Sequence, residues 1–211
     1  MLVKKDIKAK FYFIGGINGV GKSTFLKNII SQKTNQEFVL IKGISWFMKW
    51  LGLRSGDYNK LQKLNERFKN KELEKMICFI IKTNQRKNKT FLFDGHYFHY
   101  KRGIPINTIG KWIKYFTALF LIDAPTEVIL RRIYKDKNKK PEDRDLFPIN
   151  LYNTEKQKDI ISMYRMVTVR KIKELSSKHK ISYFIINNER NINNTIREFM
   201  DCHRLINKIK K

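Results

Sequence analysis

Residues 13–24 read FIGGINGVGKST. No other stretch of the chain restricts its folding as much. Phe11-Tyr12-Phe13-Ile14 before it is short, aromatic and β-branched, which suits a buried strand. Phe25 to Ile30 after it has helical spacing. Between them, Gly16 to Ser23 satisfies G-x-x-x-x-G-K-[ST] at every position. Glycines let backbone N–H groups turn inward around phosphate oxygens, and the following helix adds the positive end of its dipole. An ordinary glycine turn would also satisfy the spacing; the strand before it and the helix after it point to phosphate. Gly16, Asn18, Gly19, Val20 and Gly21 are therefore expected to cradle a nucleoside triphosphate. Lys22 is expected to reach its outer phosphates, Ser23 to ligate Mg²⁺, and Thr24 to complete the set. Lys22 is expected to face solvent when nothing is bound, so that Lys22→Ala would leave the fold intact.

The rest of the chain alternates strand and helix signals. Further short apolar runs lie at 38–41, 91–93, 118–122 and 181–186, and helical segments are expected near 22–31, 59–86, 126–135, 150–179 and 192–208. Apolar strands separated by helices predict an α/β fold with a parallel sheet covered on both faces. Pro125 is expected to stop a strand and Thr126 to cap the helix that follows. Residues 43–70 are too long for a simple crossover and read as an insert. Residues 135–148, charged and holding two prolines, read as an exposed flap that shields a transferring phosphoryl group from water. At 211 residues the chain is expected to be one domain, 1–211.

Several residues outside the loop are candidates for chemistry. Asp94 ends a strand, where an α/β sheet places its ligands, and it can hold Mg²⁺ or its waters opposite Ser23; a helix-capping role is the alternative. Arg131 and Arg132 can clamp phosphates or stack on a base, or simply answer the dipole at a helix C-terminus. Arg144, in the flap, can close over the phosphoryl group, or stand in solvent as a loop charge. Arg165 and Arg170 follow on the next helix, facing either the site or water. His96 and His99 suggest a metal pair that nothing else in the sequence supports, and lining an acceptor pocket or packing in the loop is the preferred reading. Trp46 and Trp50 are read as a core stripe in preference to a base-stacking platform.

Charge decides what else the chain can meet. Lys plus Arg number 45 against 19 acidic residues, a net charge of +26. A small-metabolite enzyme does not need this field, which draws polyanions such as RNA. Lys, Asn and Ile are abundant throughout, so compositional drift is an equal alternative. No stretch is long and apolar enough to span a membrane, no signal segment is seen, and Cys78 and Cys202 suggest no disulfide. Cys78 reads as core, and a reducing cytoplasm fits.

The loop, Asp94-Gly95, Asp123-Ala124-Pro125 and Arg132 together resemble the nucleoside monophosphate kinases. Within them the chain is most similar to the archaeal-type adenylate kinases, through GGINGVGKST, Phe47-Met48 with Leu51-Gly52, Asp94 with His96, and Ile129-Leu130-Arg131-Arg132. The resemblance runs nearly the whole chain in order. It implies a P-loop three-layer sandwich with a five-stranded parallel sheet, an acceptor-binding helical insert and a short lid. It also implies that Lys22 and Ser23 hold ATP and Mg²⁺, that Asp94 supports the metal, and that Arg132 lies against the adenine or phosphates. Trp46 stands where the family carries an acidic residue, and Lys135 where a lid arginine is common. The expected activity is transfer of the γ-phosphate of ATP to a nucleoside monophosphate. A kinase acting on RNA, or an RNA-associated ATPase switch, is the alternative.

Overall fold

Strands that are apolar at every position need cover on both faces, and the computed structural model supplies it. The structure describes residues 8–32, 36–101, 104–136, 153–189 and 191–209. Five strands, β1 (Lys10–Gly15), β2 (Phe38–Lys42), β3 (Thr90–Asp94), β6 (Ala118–Asp123) and β7 (Ser182–Asn187), form one sheet in the order β2-β3-β1-β6-β7. Every pairing is parallel. A short antiparallel hairpin, β4 (Phe98–Lys101) with β5 (Ile104–Asn107), lies outside it. The fold is thus the expected α/β sandwich with an all-parallel sheet.

Side-chain alternation divides the core in two. Tyr12 and Ile14 of β1 point to one face, with Phe120 and Ile122 of β6. They meet α1 (Lys22–Ser31), α5 (Thr126–Lys135) and α7 (Ile192–Ile209) through Phe25, Ile129 and Phe199. Phe11 and Phe13 point the other way, beside Phe91 and Phe93, onto Met76, Ile77 and Ile80 of α4 (Glu66–Asn84). The long α6 (Thr154–His179) serves both layers, with Ile161 and Tyr164 in the first and Ile172 and Leu175 in the second.

The insert expected at 43–70 holds α2 (Gly43–Trp50), α3 (Tyr58–Lys63) and the start of α4. The single helix expected over 59–86 is two helices. Asn65 breaks it, because its side chain accepts from the backbone N–H of Arg67 at 2.9 Å and of Phe68 at 3.3 Å and so caps α4. Thr126 is the first residue of α5, and its hydroxyl meets Ser162 at 2.9 Å instead of capping the helix. Trp46 and Trp50 are 44% and 38% exposed, so they are not a core stripe, and Cys78 is only half-buried. Of the segment 135–148 expected as a flap, Lys135 is the last residue of α5 and Asp136 follows it; residues 137–148, Arg144 among them, lie outside the described residues.

His203 of α7 is buried against β1 and β2. The Tyr12 hydroxyl lies 2.9 Å from its Nδ1, and the Glu37 carboxylate lies 3.3 Å from its Nε2. Burial pushes the imidazole below its ordinary value, partly offset by Glu37. The folded chain therefore keeps His203 neutral where the unfolded chain takes up a proton, and stability contributed there is lost as pH falls below about 6.5. We expect the melting temperature of the parent to exceed that of His203→Gln most at pH 7.5. Thermal scans down to pH 5.5 should show the gap narrowing; a gap that widens instead would mean that His203 is charged in the fold.

Candidate phosphate-binding site

The loop leaves β1 in the middle of the sheet and returns as α1. Gly19 and Gly21 hold φ of 88° and 85°, a region that favours glycine. Gly21 is also crowded, since a Cβ there would stand 2.5 Å from the Asn188 amide nitrogen. Gly21 is the N-cap of α1, with no side-chain cap bond, and the first turn carries no acidic residue. Among the described residues no side chain caps that turn, and its backbone N–H groups present the helix's positive end to any anion. Ser23 and Thr24 are exposed beside them.

Lys22 differs from expectation. It is 7% exposed, and its ammonium donates to Asp94 Oδ1 at the end of β3. Register explains the meeting, because Ile14 of β1 pairs with Asp94. The loop between them folds back so that its lysine lies over the neighbouring strand end. Lys22→Ala is therefore not silent for the fold, since it strands a partly buried carboxylate. The same corner receives the insert. Gly43 opens α2 so close to β3 that a Cβ would lie 2.6 Å from the Asp94 carbonyl oxygen.

Three further side chains hold the loop. Arg132 of α5 donates from Nη1 to the Val20 carbonyl at 2.9 Å, and burial and Arg131 both lower its affinity for its proton. Asn188, just past β7, donates to the same carbonyl at 2.7 Å. Asn188 is 4% exposed; its Oδ1 accepts from Thr195 at 3.2 Å, and its backbone N–H donates to the Asp123 carbonyl at 2.7 Å. A trans peptide sends its C=O and N–H to opposite sides. Holding the Val20 carbonyl from Arg132 and Asn188 thus also fixes the Gly21 N–H, on the opposite side of the same peptide. On the far side, His96 Nδ1 lies 3.0 Å from the Gly16 carbonyl, so His96 belongs to the loop.

The other candidates stand elsewhere. Arg165 grips Asp123 with two bonds of 2.9 and 2.8 Å and fixes α6 to the end of β6. Arg131, Arg170, Arg54 and Arg67 are exposed. The side chain of His99 and all of Arg144 lie outside the described residues. Asn188 was not singled out by sequence, although a polar residue at the C-terminal end of a parallel strand is where such sheets meet ligands.

A glycine loop between a central parallel strand and an uncapped helix, with its lysine brought to a strand-end carboxylate, defines a P-loop phosphate-binding domain. The profile of a family described as AAA domain matches residues 15–149, and the chain belongs to that family. Among solved structures, an unliganded sugar kinase from Janibacter sp. HTCC2649 is similar over 92% of this chain and 93% of its own, with a TM-score of 0.52 and 10% identity. The fold is that of the P-loop kinases. No curated protein matches the chain.

The pairing of Lys22 with Asp94 can be read in a double-mutant cycle. Each of Lys22→Met and Asp94→Asn is expected to lower stability, with the double variant recovering about 1–3 kcal/mol of the summed loss in denaturant unfolding. Strict additivity would mean that the two do not interact in solution. Asn188→Ala is expected to weaken nucleotide binding about tenfold or more with the melting temperature lowered only slightly, because it releases the Val20 carbonyl and one hydrogen bond. Unchanged affinity by calorimetry would assign Asn188 to the fold alone.

Proposed function

We propose that the protein is an ATP-dependent phosphotransferase of nucleotide-kinase type, moving the γ-phosphate of ATP to a nucleoside monophosphate. The observation that carries this reading is the meeting of Lys22 with Asp94 beside the uncapped start of α1. A lysine and a carboxylate meet there at the end of β3, beside a helix start with no side-chain cap. Membership of a P-loop family and the kinase-like fold support it. The similarity to archaeal-type adenylate kinases supplies the acceptor. In this reading the whole chain is one kinase domain, with residues 43–70 receiving the acceptor and 135–148 acting as lid.

The residues present fit the ligands. The positive-φ glycines of the loop suit a backbone that closes on phosphate, and Gly16, Asn18, Gly19, Val20, Gly21 and Thr24 would wrap it. Lys22 would leave Asp94 for the outer phosphates, which carry more charge than one carboxylate. Ser23 and Asp94 are hard oxygen donors and suit Mg²⁺, which would neutralise phosphate charge. Arg132, already against the loop, would lie beside the nucleotide, and Arg144 would close from the lid. An oxygen of the acceptor phosphate attacks the γ-phosphorus, the bond to the β–γ bridging oxygen breaks, and its electron pair leaves with ADP. No protein nucleophile is needed; positioning and charge neutralisation carry the barrier.

Purified protein with Mg-ATP is expected to convert at least one of AMP, CMP, GMP, UMP or their deoxy forms to the diphosphate. Lys22→Ala is expected to lower turnover at least about 100-fold. Chromatography finding no diphosphate above the Lys22→Ala background with any of these acceptors would refute the proposal.

A further inference from the structure

The insert turns aromatic side chains outward. Trp46 and Trp50 stand one turn apart on α2, 44% and 38% exposed. Phe79 of α4, 52% exposed, lies against Trp50 with ring centroids 5.6 Å apart. The Trp50 indole N–H donates to Glu72 at 3.1 Å, which holds the ring in one orientation without burying it. Glu72 also accepts from Lys75 at 2.6 Å, so its charge is answered. Clustered exposed aromatics mark binding surfaces.

Beside Trp46, a cavity of about 370 Å³ opens between α4 and the edge strand β2. Val39, Ile41, Ile80 and Phe91 give it apolar walls, and Lys87 and Lys89 border it. The turn from α4 to β3 reads Arg86-Lys87-Asn88-Lys89, with all four exposed. Lys82 is exposed one turn earlier, and the backbone N–H of Lys8 joins the same turn through the Gln85 carbonyl at 2.9 Å. No acidic residue occurs from Lys75 to Phe93. Lys89 spends one N–H on the Gln36 carbonyl at 2.8 Å and keeps two for a ligand.

We propose that this face binds single-stranded RNA, with bases against Trp46 and Trp50 and phosphates on Lys82, Arg86, Lys87 and Lys89. The two halves of the surface match the two halves of that partner. Flat apolar rings take the faces of unpaired bases, and a row of cations with no ion pair among the described residues takes the backbone. A duplex hides its bases, and an acidic polypeptide offers no rings to stack. Unpaired, splayed bases are presented chiefly by RNA loops and ends. The +26 charge adds long-range attraction. None of these residues belongs to the phosphate loop, so the inference stands without the phosphotransferase reading.

Fluorescence anisotropy without ATP tests it, using an unstructured RNA of about 12 nucleotides, within the range of known single-strand sites. The titration is done near physiological ionic strength, where screening beyond about 8 Å removes diffuse attraction. The single strand is expected to bind more tightly than the duplex of equal length, although the duplex carries more charge. Trp46→Ala and Trp50→Ala are each expected to weaken binding about 5- to 150-fold, the worth of one stacked base, with Trp46→Phe close to the parent. Lys87→Ala and Lys89→Ala are each expected to flatten the log–log salt slope by about 0.7. Both tryptophans are surface residues, and melting temperatures equal to the parent's would confirm that the variants fold. Duplex RNA or polyglutamate binding as tightly as the single strand would overturn the proposal. So would parental affinity in both alanine variants, or tighter binding of the matching deoxy strand.

Discussion

Lys22 is only 7% exposed, and its contact with the Asp94 carboxylate is what makes this tolerable. An ammonium withdrawn from water without a partner would lose its proton or unfold its surroundings. The pair can form only because β1 and β3 are adjacent and parallel, in a register that sets Ile14 against Asp94. The sheet order, the length of the loop and the start of α1 all bear on this one contact. It also keeps the lysine ordered before any ligand arrives.

The loop itself is held by a different means. A glycine-rich turn is entropically costly to fix, and the burial of its own Ile17 and Val20 side chains in the core anchors only part of it. Asn188 and Arg132 supply the restraint from β7 and α5, both through the Val20 carbonyl. Thr195 then holds Asn188, and the Asp123 carbonyl holds its backbone, so the ends of β6 and β7 are braced against the loop. Arg165 adds α6 to the same corner through Asp123. The result is a preorganised backbone, in which ordering is completed on folding and not charged to ligand binding.

The insert faces two ways. Its inner residues, Phe47, Met48 and Leu61, join the core beneath the sheet. Its outer residues include Trp46 and Trp50, which a helical period of four had suggested for the core. The period is real, but it marks the outer stripe of α2, because Gly43, Phe47 and Met48 already occupy the inner one. Spacing shows that residues share a face; it does not show which face is buried.

Sequence alone determined the loop, the five parallel strands, the helices between them and the strand-end position of Asp94. These follow from local rules: glycines that allow positive φ and apolar runs that demand cover; the Asn65 cap that splits a helix is equally local, but the expected cap was Thr126. It placed Arg132 near the loop by resemblance, and the structure brings it to the Val20 carbonyl. Tertiary structure alone decided that Lys22 is buried against Asp94, that Arg165 serves Asp123, and that Asn188 restrains the loop. Asn188 lies 168 residues from Val20 along the chain. Such contacts depend on which strands become neighbours, and that order is set by the packing of the whole sheet, which no local pattern encodes.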